Sequence, residues 1–234
     1  MATSGSTDWT LNRDQIITSA LRKLAVLPSG GTPTAAQVTD ASMALNALIK
    51  AFHADGMPVW KMTSTNFTVA DGTATYSIGP AQTINTVQPL KVVQAFQTQT
   101  GGVNVPLNVY NRYDFNNLPQ SSTIEGTPVN LYYQPGRIYG TVKLWPTPDD
   151  STTVVTIHYQ APFEDMDGAS DDLDFPAYWN QAMIYMLAWA LSPEYGIPPN
   201  DRGALQKEAI YWKTEALSYG SEEGSLYIQP ERIR

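Results

Sequence analysis

The stretch DDLDFPAYWNQAMIYMLAWALSPEYG, Asp171 to Gly196, contains ten consecutive apolar residues from Ala182 to Leu191. A helix needs about 20 predominantly apolar residues to span a bilayer, and Asn180 and Gln181 interrupt the run well before that length. We therefore expect no membrane segment here. The sequence instead predicts a helix that is apolar on nearly every side, and such a helix must be buried all round.

The aromatic residues of this helix also predict contact with another copy of the chain. Neighbouring helices of one chain would cover only part of such a surface, so a second protomer is expected to complete the cover. A carbohydrate-stacking platform is the alternative, but it requires exposed rings, whereas helical core spacing favours packing. The candidate inter-protomer residues are Trp179, Tyr185, Met186 and Trp189.

Two helix pairs are predicted at the ends of the chain. At the N-terminal end, Asn12 with Gln15 and Thr34 with Gln37 each have the spacing of a capping box, in which the first side chain caps a helix. The last helix carries a stripe of Leu205, Ala209, Trp212, Ala216 and Tyr219. Because neither pair can bury its apolar faces alone, we expect the pairs to pack together.

The segment between the helix pairs predicts antiparallel β-structure, because short alternating apolar runs are separated there by turn residues. Asp71-Gly72 and Pro135-Gly136 are candidate hairpin turns. On a later strand, alternation places three apolar side chains on one face, namely Val155, Ile157 and Tyr159. The frequency of turns indicates a β-sandwich or a small barrel.

The predicted fold class is therefore α+β. An antiparallel helical bundle from the N- and C-terminal helix pairs carries an inserted antiparallel β-sandwich or barrel domain, and an extended tail follows. The expected boundaries are 1–58 for the first helix pair, 59–165 for the β-domain, 166–222 for the second helix pair and 223–234 for the tail.

Composition excludes several functional classes. The 234-residue chain has a formal charge of −8, which disfavours a nucleic-acid binder that neutralises phosphates with clustered cations. It has no cysteine, so disulfides, iron–sulfur clusters and thiol nucleophiles are excluded. No signal-peptide pattern opens the sequence, which indicates a protein made and kept in the cytosol.

No catalytic, cofactor-binding or metal-binding motif is present. The GxSxG, GxxxxGK, GxGxxG and HExxH patterns are all missing, and His53 and His158 stand alone, which favours structural roles for both. Several acidic residues precede the apolar helix and could supply a carboxylate pair or gather a cation, but their spacing does not fit an EF-hand. A solvated linker leading to the helix start at Pro176 explains them better. These residues are Glu164, Asp165, Asp167, Asp171, Asp172 and Asp174.

Three segments, YYQPGRIYG, VKLWPTPDD and FPAYWNQAMIYMLAWALSPEYG, resemble matching segments of the head-to-tail adaptor proteins of tailed bacteriophages. This group includes the tail tubular protein A and tail accessory factor types of short-tailed phages. The resemblance is strongest over 131–196 and extends to the early helix pair. It implies a structural virion protein, without enzymatic activity or cofactor, that is synthesised in the host cytoplasm.

The resemblance further implies a ring, commonly of twelve copies, that binds the portal protein and the next tail component, a nozzle or tail tube. Such a homododecamer extends the DNA ejection channel, and DNA passes without specific binding. The resemblance assigns portal binding to the C-terminal tail, where apolar anchors and positive charges are available. The residues concerned are Leu226, Tyr227, Ile228, Arg232, Ile233 and Arg234.

Two other functional classes remain open from the residues. One is a peptidoglycan-degrading glycosidase that uses a carboxylate pair such as Glu164 and Asp167. The other is a carbohydrate-binding β-sandwich protein, which would require exposed aromatic rings on one strand face. Its candidate residues are Tyr132, Tyr139 and Trp145.

Overall fold

The computed structural model describes Gly5 and residues 9–52, 61–99, 101–119 and 124–219. The chain divides into two compact units, one formed by residues 1–60 with 164–234 and the other by residues 61–163. The described residues contain five α-helices, α1 (Arg13–Lys23), α2 (Ala35–Phe52), α3 (Arg112–Asn116), α4 (Asn180–Leu191) and α5 (Pro199–Tyr219). None of these helices is long and apolar enough to cross a membrane.

Both predicted capping boxes are confirmed. The Asn12 side chain accepts a hydrogen bond from the Gln15 backbone N–H at 2.9 Å, and the Gln15 side chain accepts one from the Asn12 N–H at 3.1 Å. Thr34 and Gln37 make the same exchange at 3.3 and 2.9 Å. Each box satisfies backbone donors that have no partner within the helix, and it therefore defines where the helix begins.

Helix α4 is the centre of the first unit. Helices α1, α2 and α5 each pack against it, and its buried side chains include Met183 and Leu187, which are fully inaccessible. α4 begins at Asn180, after a 3₁₀ turn over Ala177–Trp179. The predicted helix start at Pro176 is therefore wrong, because Pro176 has an extended backbone with ψ of 152°.

The second unit contains one eight-stranded sheet within the described residues, in the order β1-β8-β4-β5-β6-β7-β2-β3. Strands β2 and β3 pair in parallel, as do β5 and β6, whereas the other neighbours are antiparallel. The strands are β1 (Met62–Thr68), β2 (Thr75–Gly79), β3 (Ile84–Asn85), β4 (Lys91–Thr98), β5 (Asn104–Tyr110), β6 (Asn130–Gln134), β7 (Gly140–Trp145) and β8 (Val154–Gln160).

The sheet encloses a single apolar core and is nearly closed, like a barrel. Phe67 on β1 and Tyr76 on β2 lie in this core with ring centroids 4.9 Å apart, although these strands stand far apart in the strand order. The predicted apolar face of β8 is confirmed, because its three alternating side chains are at most 2% exposed, namely Val155, Ile157 and Tyr159.

The predicted fold class is wrong. The described chain is a mixed α/β protein with a barrel-like sheet, and it is not an antiparallel helical bundle with an inserted antiparallel sandwich. The helices of both predicted pairs pack together around α4 as expected, but two strand pairs of the sheet are parallel. Gly72 has the positive φ of 70° expected for a turn, but the strands it connects pair elsewhere, β1 with β8 and β2 with β7. The Pro135-Gly136 hairpin between β6 and β7 is confirmed.

Candidate functional site

The four predicted inter-protomer residues on and before α4 differ widely in exposure. Trp179 is fully buried, and its ring lies edge-on to Phe52 and tilted against Phe175, with centroids 5.3 and 5.4 Å apart. Met186 is also buried. Tyr185 is half-buried beneath the Lys23 ammonium, and Trp189 retains 37% of its surface. Within its own chain, Trp189 is therefore the member of this set with the most surface available to a partner.

Helix α5 carries exposed apolar side chains that the sequence analysis did not single out. Of its predicted stripe, only Ala209 and Ala216 are buried. Ile210 and Leu217 each follow one of these alanines and are 57% and 43% exposed. Because they are seven residues apart, they lie on one face of the helix. The exposed face that contains Ile210 and Leu217 is distinct from the buried face that contains the two alanines, and we call it the α5 face. The seven-residue spacing of Ile210 and Leu217 is visible in the sequence and could have indicated this face.

Two exposed tyrosine rings lie on other sides of α5. Tyr211 is exposed and contacts Trp212, while Tyr219 is 77% exposed and lies 5.8 Å from the Tyr178 ring. Amphipathic rings of this kind suit protein interfaces, where one part of the ring is buried and the hydroxyl remains solvated. The described part of the first unit therefore presents exposed apolar and aromatic surface.

The acidic residues before α4 hold the linker to the helices. Lys50 forms an ion pair with Asp165 at 2.6 Å, and Arg13 donates to the Asp167 carbonyl oxygen at 2.6 Å. The Asp171 carboxylate accepts from the Gly168 N–H at 2.5 Å, and Asp174 accepts from the Glu164 N–H at 3.0 Å.

These carboxylates do not cap α4, since no acidic residue lies in its first turn. No group of histidine and acidic residues in the described ranges is arranged to hold a metal ion. The contacts of these acidic residues are therefore structural ones that fix the linker.

The three aromatic residues proposed for carbohydrate stacking do not form one exposed platform. Tyr132 is buried against Phe115, with ring centroids 5.4 Å apart. Trp145 is half-buried and donates from its indole nitrogen to the Pro119 carbonyl oxygen at 3.0 Å. Tyr139, in contrast, is 46% exposed in the loop before β7.

The remaining candidates are the two histidines and the portal-binding residues. His158 on β8 is half-buried beside Phe96, with ring centroids 5.7 Å apart. His53 and the six candidate portal-binding residues, Leu226, Tyr227, Ile228, Arg232, Ile233 and Arg234, lie outside the described residues.

A turn in the second unit contains a carboxylate with a perturbed pKa. Asp150 accepts hydrogen bonds from the backbone N–H groups of Thr153 and Thr152, at 2.9 and 2.8 Å. These bonds stabilise the charged form and hold the Asp150 pKa below its ordinary value. The arrangement is a local turn that connects β7 to β8.

Comparison with known proteins identifies the group to which these features belong. A family model described as SU10 adaptor protein matches residues 11–222. The match covers helices of the first unit and all strands of the second. No curated protein matches the chain.

Proposed function

The chain belongs to the SU10 adaptor protein family, and from this premise we propose that it forms the ring that joins the phage portal to the tail. The family assigns it to the structural adaptors of bacteriophages, which are virion components that associate with portal and tail proteins. The match over residues 11–222 is the observation that carries the proposal.

The uncovered surface of the first unit supports self-association. A closed ring needs a head-to-tail interface, in which one patch of a copy meets a different patch of the next copy. The α5 face supplies one apolar patch through Ile210 and Leu217, and Trp189 supplies aromatic surface on α4. We propose twelve copies, with the helices of the first unit at the contacts between them.

Charge supports passage of DNA through the ring. The net charge of −8 repels phosphate groups, so that DNA can move through the channel without being held. We place the adaptor below the portal, as in the tail tubular and tail accessory types, with a nozzle or tail tube as the next component. The protein would be synthesised in the host cytoplasm before it enters the virion.

We assign no enzymatic activity to the chain. The adaptor family is a structural one. The linker carboxylates of Asp171 and Asp174 accept hydrogen bonds from backbone N–H groups, which is a structural use of these side chains. We also propose that residues 223–234 form a separate segment of the chain, whereas the predicted boundaries at 58/59 and 165/166 give way to those of the two units, at 60/61 and 163/164. The last segment, from residue 223, is proposed to bind the portal through its apolar and arginine side chains.

The proposal is tested by mixing the purified protein with portal particles. Negative-stain imaging and native mass spectrometry should show rings of one fixed copy number on the portal. A truncation before Ser225 should abolish portal binding while the circular dichroism spectrum is retained. Portal binding by the truncated chain would refute the tail assignment, and the absence of rings with the intact chain would refute the adaptor ring.

The contact surface is tested by single charge introductions on α5. Ile210→Glu and Leu217→Glu place a charge on the α5 face and should prevent ring formation, because a desolvated unpaired charge is costly at an interface. Glu215→Lys, at an exposed position on the far side of the same helix, is the control for an altered surface charge and should assemble normally. Rings formed equally well by all three variants would exclude the α5 face from the interface.

A further inference from the structure

A cleft of about 560 Å³ opens in the second unit where β5 leaves β4 and joins β6. Residues 104–107 of β5 pair with β4, whereas residues 108–110 pair in parallel with β6. The start of β4 therefore forms one wall of the cleft, and the ends of β5 and β6 form the other. The volume lies within the range of about 300–1,000 Å³ that is typical of ligand sites.

Among the described residues, the wall formed by β4 has a backbone edge without a strand partner. Between Lys91 and Gln94, β4 pairs with β8 on one side, and β5 joins its other side only from Ala95 onward. A bulge at Val93 interrupts the pairing with β8, and the Val93 side chain is 52% exposed. An unpaired strand edge offers N–H and C=O groups at strand spacing, which an added extended chain can satisfy.

The charge of the cleft is opposite to that of the protein. Lys91 and Arg112 contribute two cations, and no carboxylate is present among the described residues that line it. The whole chain carries a net charge of −8. A local positive site on an acidic protein attracts negatively charged ligands in preference to other parts of the same surface.

The far wall is held in place before any ligand binds. The Tyr133 hydroxyl donates to the Pro89 carbonyl oxygen, and the Gln88 side chain donates to the Gly136 carbonyl oxygen at 2.6 Å. A tyrosine hydroxyl is protonated at neutral pH, and burial raises the pKa of Tyr133 further, so the hydroxyl is a donor. Gly140 leaves room for the Tyr133 ring, because a Cβ atom added at Gly140 would lie 2.5 Å from the Cε2 atom of Tyr133. A preorganised wall lowers the entropic cost of binding.

We propose that this cleft binds an extended acidic segment of a partner protein, which adds as a strand to the open edge of β4 between Lys91 and Gln94. The backbone edge requires an extended polypeptide, and the two cations require acidic side chains on it. Four paired residues span about 13 Å at strand spacing. The inference goes beyond the adaptor role and concerns the second unit, so a chain that forms no ring can still bind the segment.

The test uses the full-length protein and labelled eight-residue peptides, with binding followed by fluorescence anisotropy. A capped peptide of alternating glutamate and valine should bind, whereas the lysine–valine counterpart should not. Methylation of alternate backbone nitrogens on the edge-facing side of the first peptide should weaken binding about tenfold or more, since it removes several hydrogen bonds. A labelled single-stranded oligothymidine is measured in the same assay to test whether the cleft binds nucleic acid instead.

Charge-reversal variants locate the binding site. Lys91→Glu and Arg112→Glu should each weaken binding of the glutamate–valine peptide about 2- to 10-fold, as expected for exposed ion pairs replaced by repulsion. Both positions are exposed, so the variants should retain the wild-type circular dichroism spectrum. Lys207→Glu, in the other unit, is the matched control for the change in net charge and should bind normally.

Four outcomes would overturn the proposal. These are no binding of the glutamate–valine peptide by the wild-type protein, unchanged binding by both cleft variants, equal binding of the methylated peptide, or binding of the oligothymidine alone.

Discussion

Replacement of Trp179 by alanine should destabilise the first unit strongly. The side chain is fully buried and makes ring contacts with Phe52 and Phe175. Truncation of a buried tryptophan to alanine typically costs about 3–5 kcal/mol, because apolar contacts are lost and a cavity remains. Aromatic pairs contribute about 0.5–1.5 kcal/mol each beyond area burial. We therefore expect a loss of about 4 kcal/mol, a large part of the roughly 5–15 kcal/mol by which a typical domain is stable.

Urea unfolding followed by far-UV circular dichroism measures this loss, because the helices dominate the signal. Trp189→Ala is the matched control, since its side chain is 37% exposed and its truncation should cost only about 1–2 kcal/mol. Trp179→Phe keeps a ring in the core, should lose less than the alanine variant, and provides a folded protein if that variant does not fold. A loss for Trp179→Ala no larger than that for Trp189→Ala would refute the assignment of Trp179 to the core.

Three further substitutions test local features, each by urea unfolding. Gly136→Ala should lower the unfolding free energy by about 1–3 kcal/mol, because the new Cβ would overlap with the Tyr139 carbonyl oxygen; an unchanged midpoint would contradict this turn geometry. Asn12→Ala should cost about 0.5–2 kcal/mol by removing the cap that binds Gln15, whereas Asn12→Ser should restore most of it. Asp150→Ala should lower the unfolding free energy by about 1 kcal/mol at pH 7. Because the pKa of Asp150 is lowered in the folded protein, its carboxylate stabilises the fold above about pH 4, and the difference between variant and wild type should shrink as the pH falls through the folded pKa. A difference that does not change with pH would argue against the charged hydrogen bonds.

The exposed surfaces show how far the candidate sites could be predicted. Helical spacing identified α4 as a buried helix, but it could not tell that Trp179 faces the core while Trp189 keeps exposed surface. The sequence of α4 is apolar on nearly every side, so which side chains become buried depends on where the other helices pack against it. On α5 the buried positions are small alanines, which leaves larger apolar residues such as Ile210 outside.

The cleft beside β4 could not be predicted at all. It exists because β5 changes partners along its length, from β4 to β6. Lys91 and Arg112 are separated by the rest of β4, a loop and β5, so only the strand pairing brings them to one cleft. Alternating apolar residues predict that a strand exists, but they carry no information about its neighbour.

The sequence by itself determined the local features of this protein: the two capping boxes, the positive φ of Gly72, the β6–β7 hairpin and the buried face of β8. Each depends on atoms only a few residues apart along the chain, or on the alternation of side chains along a strand. The tertiary structure alone decided that β1 pairs with β8, that two strand pairs are parallel, and that the helices pack around α4. The physical reason is that these contacts join residues remote in sequence, and they follow from how the apolar faces of the whole unit can be buried together.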